Sequence, residues 1–143
     1  MNTVKLIDMH NVTDSLGKKI DKRIKYAVQV FNTLNFKTTA SCQGHIKHGL
    51  PFPWIEFNLP QTYAKINYLQ QDIIKNLLIE YSKVKNNDLF VQNMGQYGGF
   101  RLITSNLKIN DSFFKKNEIK LKNHRQQIND FCNWLLKNET AIH

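Results

Sequence analysis

The chain has 143 residues, two cysteines and a formal net charge of +9. That length fits a single domain, residues 1–143, able to bury a core without disulfide staples, and the separated Cys42 and Cys132 make no disulfide framework. No apolar run reaches the length of a membrane span and the start Met1-Asn2-Thr3-Val4-Lys5 is not a signal peptide, so the expectation is a cytoplasmic protein with no membrane association.

Taken in chain order, Val4–Met9 reads as a short strand with Val4, Leu6 and Asp8 on one face. A helix capped by Thr13 or Asp14 is expected next, with Leu16, Ile20, Ile24, Ala27, Phe31 and Leu34 at helical spacing and Asn35 as its stop. Lys18, Lys19, Lys22, Arg23 and Lys25 would cover the other side of that helix. Strands are expected at Lys37–Cys42 and Trp54–Asn58, the second alternating Trp54, Glu56 and Asn58 against Ile55 and Phe57. Pro60 ends that strand and Thr62 can open a second helix, whose expected buried stripe is Ile66, Leu69, Ile73, Leu77, Tyr81 and Val84. The polar run Lys83–Asp88 reads as a loop.

A hairpin follows, in which Leu89–Gln92 and Phe100–Thr104 flank the glycine-containing turn Gly95–Gly99. Asp111 or Ser112 can cap a last helix running to about Lys137, with Leu121, Ile128, Phe131, Cys132 and Leu135 on its apolar side. Residues 138–143 are expected to fray as a C-terminal tail. The order β-α-β-β-α-β-β-α implies an α/β protein of the α+β type: a mainly antiparallel sheet of about four to five strands, covered by three helices on one face.

Clustered cations displace counterions from phosphates, so the charge suggests RNA or another polyanion as partner. The cations are 17 Lys against 3 Arg, alongside 17 Asn and 14 Ile, a bias that AT-rich coding also produces. Lys18, Lys19, Lys22, Arg23 and Lys25, balanced locally by Asp21, are the candidate phosphate contacts. Lys115, Lys116, Lys120, Lys122 and Arg125 make a similar group on the last helix. Such faces are often merely solvated, and phosphate contacts confer affinity without sequence specificity.

The segment Thr38-Thr39-Ala40-Ser41-Cys42-Gln43-Gly44-His45, continuing through His48 and Gly49 to Pro51-Phe52-Pro53-Trp54, has an unusual composition for core-building sequence. It places Ser41, Gln43, His45 and His48 near a strand end, where side chains converge. Cys42, His45 and His48 have zinc-compatible donors and spacing, with Asp8, His10, His124 or water as a fourth ligand. Alternatively, His45 can assist Cys42 as a nucleophile, giving Ser41, Cys42 and His45 as candidate catalytic residues. Gln43, Gly44, His48 and Trp54 are candidate substrate contacts, Trp54 either stacking on a base or packing in the core. Against these stands a plainer reading, an irregular strand connection holding a buried thiol and solvent-facing histidines.

The Ser-Cys-x-Gly-His segment followed by Pro-x-Pro-Trp resembles a loose group of small microbial proteins, a resemblance that implies no activity. The stretch Thr39-Ala40-Ser41-Cys42-Gln43-Gly44-His45 also resembles the tRNA wybutosine-synthesising methyltransferase family, whose corresponding run is Thr-Ser-Ser-Cys-Ser-Gly-Arg. Thr39, Ser41, Cys42 and Gly44 match, whereas Ala40, Gln43 and His45 depart. That second resemblance implies an RNA-modifying enzyme using S-adenosylmethionine. Replacing its arginine by His45 alters the anion chemistry, because imidazole lacks a permanent guanidinium fork. The sequence therefore leaves an RNA-associated, methyltransferase-like protein beside two alternatives. One is a non-enzymatic inhibitor of mobile-element or phage type that binds an acidic protein; the other is a zinc-binding domain.

Overall fold

The structure, a computed structural model, describes residues 5–8, 13–46, 51–104 and 114–139, except the side chains of 114–117. Among the described residues, four strands form one antiparallel sheet: β1 (Ala40–Cys42), β2 (Trp54–Phe57), β3 (Leu89–Asn93) and β4 (Phe100–Thr104), in the order β1-β2-β4-β3. The Gly95–Gly99 turn makes β3 and β4 the expected hairpin. Strand alternation then sorts the side chains. Ile55 lies opposite Leu102 and Phe57 opposite Phe100, and all four are buried.

Three helices pack on that apolar face: α1 (Lys25–Thr33), α2 (Ala64–Val84) and α3 (Phe114–Lys137). Together they make the α+β architecture that the alternation of segments implies. Phe57 stacks on Phe100 with ring centroids 4.7 Å apart, and Phe31 of α1 meets Phe57 edge-on at 5.3 Å. The expected stripe of α3 holds, with Leu121, Ile128, Phe131, Cys132 and Leu135 all buried. Asn35 ends α1 as its sequence suggests. It takes φ 69°, while Phe36 N–H donates to Phe31 O at 2.9 Å and Asn35 N–H to Asn32 O at 3.1 Å. This is a Schellman cap, which satisfies carbonyls that the helix end leaves open.

The first helix is much shorter than its apolar spacing suggests. Residues 13–19 form a hairpin-like turn in which Thr13 bridges Lys19 and Asp14 N–H donates to Lys18 O at 2.8 Å. Asp14 Oδ1 accepts the backbone N–H groups of Leu16 and Lys18, both at 2.9 Å, and Gly17 takes φ 82°. These local bonds offer the backbone an alternative to helix, and the glycine completes the reversal. Leu16 consequently stands 79% exposed and outside the core, while Ile20 packs only partly against it. Lys18, Lys19, Lys22 and Arg23 precede the helix instead of sharing one of its faces, and Lys25 is its first residue. Residues 5–8 are not in a strand; Val4, Met9 and His10 lie outside the described residues, as do Asp111 and Ser112.

On α2 the buried stripe is displaced by about one residue from the apolar spacing. Asn67, Gln70, Gln71, Ile74, Leu77, Leu78 and Tyr81 face inward, leaving Ile66, Leu69 and Val84 exposed. The inward amides bond the backbone of neighbouring segments. Asn67 accepts from Leu59 N–H at 2.9 Å and donates to Leu59 O and Tyr97 O, each at 3.0 Å. Gln70 Oε1 accepts from Lys37 N–H at 2.6 Å. These bonds tie the Lys37, Leu59 and Tyr97 backbone to α2, and Ile66 and Leu69 face outward.

Ile24 and Leu16 separate the two descriptions of the first segment. Ile24, 1% exposed, should cost about 2–5 kcal/mol when cut to Ala. Leu16→Ala should change stability by less than about 0.5 kcal/mol in the same urea series. Equal losses at both positions would restore the long helix.

Candidate functional site

The site grows from the end of β1, where the chain leaves the sheet at Cys42 and turns through Gln43, Gly44 and His45. Gly44 makes this turn possible. Its φ is 84°, and a Cβ there would lie 2.6 Å from Leu121 Cδ1 and 2.8 Å from the Phe52 carbonyl carbon. No other residue type fits that backbone without strain and collision. From α3, Arg125 Nε donates to Gln43 O at 2.7 Å and Arg125 Nη2 to Gly44 O at 3.0 Å. Burial, together with neighbouring Arg23, pulls the Arg125 guanidinium below its ordinary pKa.

On the other side of the turn stands Asp21, whose sequence context marks it only as a counter-charge to the neighbouring lysines. Its Oδ2 accepts the Gln43 N–H at 3.1 Å and lies 3.8 Å from His45 Nε2. The Gly44 N–H points to Cys42 Sγ at 3.4 Å. Asp21, Cys42 and His45 thereby present a carboxylate oxygen, a thiol sulfur and an imidazole nitrogen within 4.8 Å of one another. Burial pushes the Cys42 thiol up; Gly44 N–H opposes this, Asp21 adds to it, and Arg125 and Arg101 oppose it. Cys132 is fully buried, and burial raises its thiol far above the ordinary range.

The candidate residues divide between several places. Ser41 pairs with buried Ile55 and so belongs to the opposite sheet face from Cys42. The Ser41, Cys42 and His45 trio therefore does not converge; Cys42 and His45 do, with Asp21. His48 lies outside the described residues. Trp54, beside Cys42, has Arg101 over its ring at 3.9 Å from the centroid, and Arg101 Nε donates to Glu56 Oε1 at 3.2 Å. Of the other metal ligands considered, His124 instead approaches Asp88, Nε2 to Oδ2 at 3.5 Å, and burial lowers its pKa. Asp8 does not join the Asp21 group either.

Two adjoining hollows flank the turn. One, of about 520 Å³, is lined by Arg23, Gln43, Gly44, His45, Ile46, Glu118, Leu121, Lys122 and Arg125. The other, of about 400 Å³, shares Arg23, Lys122 and Arg125 and adds Lys22, Tyr26, Gln126 and Asn129. Lys18, Lys19 and Lys25 line neither. The basic groups of two distant segments thus meet here through Lys22, Arg23, Lys122 and Arg125. Comparison with protein-family models, curated proteins and solved structures finds no match to this chain.

The two thiols supply a direct check on the site. Iodoacetamide should modify Cys42 in the folded protein and spare Cys132 until unfolding. Because thiolate is the reactive form, the Cys42 rate should still be climbing at its ordinary pKa of 9.0. A plateau below that pH, or earlier labelling of Cys132, contradicts the arrangement.

Proposed function

We propose that this protein binds RNA through the cationic hollows between the Gln43–His45 turn and α3. The observation that carries the reading is the smaller hollow, whose lining includes Lys22, Arg23, Lys122 and Arg125 and no carboxylate. Like charges converge at a cost unless something compensates them, and a phosphate backbone is the anionic ligand that takes several at once. Guanidinium groups suit phosphate because their donors match two of its oxygens. Tyr26, Gln126 and Asn129 add polar groups that can reach sugar or base edges. The likeness of Thr39, Ser41, Cys42 and Gly44 to the wybutosine-synthesising methyltransferases favours RNA among polyanions.

The proposal is one of binding rather than group transfer. Burial disfavours the Cys42 thiolate, and Ser41 lies on the opposite face of the sheet from it.

The test replaces Lys22, Arg23 and Lys122 by Gln together, leaving Arg125 to hold the turn. RNA affinity should fall, and the slope of log affinity against log salt should become shallower by about 2, since each lost contact with single-stranded phosphate removes about 0.7. Absence of salt-sensitive RNA binding by the parent protein overturns the proposal and leaves an acidic protein as the partner to seek. An unchanged slope in the triple variant also counts against it.

A further inference from the structure

The geometry points to Asp21, Cys42 and His45 as a binding site for a zinc-class divalent cation. This inference does not rest on RNA binding. It replaces the Cys42, His45 and His48 set suggested by spacing with one in which a carboxylate from a distant turn supplies a ligand. Thiolate and imidazole together select zinc or cobalt over magnesium and calcium, which prefer oxygen alone.

Distances support the set. Metal bonds of about 2.0–2.3 Å in a tetrahedron put ligand atoms roughly 3.3–3.6 Å apart. Asp21 Oδ2 and His45 Nε2 are already 3.8 Å apart, and all three donor atoms fall within 4.8 Å. Side-chain rotation covers the remaining contraction. The backbone around them has the polarity of an outer shell: Gln43 N–H holds Asp21 Oδ2, and Gly44 N–H points to Cys42 Sγ. Charge also balances, because one carboxylate and one thiolate neutralise a dication; binding displaces the Cys42 proton to solvent. Three protein ligands leave a fourth position for water or an incoming anion, as in open zinc sites. His45 itself lines the larger cationic hollow, so that position can face its contents.

The experiment titrates the reduced full-length protein with Co²⁺ and Zn²⁺. One equivalent of Co²⁺ should bind with a thiolate-to-cobalt absorption band, and Zn²⁺ should displace it. Cys42→Ser should remove the band. Asp21→Asn and His45→Gln should each weaken binding by more than about tenfold, since even an outer-shell loss costs on the order of 10–100-fold. A second measurement uses the unaltered chain: saturating Zn²⁺ should slow iodoacetamide labelling of Cys42 severalfold. No stoichiometric cobalt binding, affinity indifferent to Asp21 and His45, or an unprotected Cys42 would each overturn the site. Its failure is distinguishable from failure of the RNA proposal, because the Lys22, Arg23 and Lys122 variant retains all three proposed ligands.

Discussion

The site depends on how Arg125 holds the peptide between Gln43 and Gly44. A trans peptide directs its carbonyl and its N–H to opposite sides. By drawing Gln43 O toward Arg125 at 2.7 Å, α3 turns the Gly44 N–H toward Cys42 Sγ. The neighbouring Gln43 N–H meets Asp21, so the turn is held between a cation on one side and a carboxylate on the other. Gly44 then permits the positive φ and the approach to Leu121 that seat the turn against α3. These connections join segments about eighty residues apart in sequence, which makes the site a product of the tertiary fold.

The same arrangement separates two kinds of cation. Arg125 commits Nε and Nη2 to carbonyls, so part of its charge stabilises the turn. Lys22, Arg23 and Lys122 supply the exposed remainder around the hollows. On the proposed RNA-binding reading, this division would let an anionic ligand bind without dismantling the turn. Asp21 and Cys42 meanwhile keep anionic or potentially anionic groups beside this positive field, with His45 between the two regions.

Much of the scaffold was legible because burial and periodicity agreed. The β3–β4 hairpin, the alternation of β2 and the apolar stripe of α3 all follow from side chains that the helical face of the sheet must cover. The first helix is shorter than its spacing implies: Leu16, Ile20 and Ile24 have helical spacing, while the bonds to Asp14 and the reversal at Gly17 favour a turn. On α2, hydrophobicity points to Ile66 and Leu69, yet Asn67 and Gln70 face inward to bond the backbone of Leu59 and Lys37. The Cys42 turn was visible by composition. Its partners Asp21 and Arg125 were not, because a single charged residue carries no local signal of a contact made across the fold. Ser41 shows the converse error: adjacency to Cys42 suggested a shared site, and strand alternation places it on the other face.

Amide hydrogen exchange in an Arg125→Met variant tests this dependence most directly. The account predicts that exchange at Gln43 and Gly44 accelerates by about tenfold or more, as loss of charge-assisted bonds releases the turn, while the β2–β4 ladder keeps its protection. Unchanged exchange at both amides would contradict it, and so would a loss of protection spread evenly through the sheet.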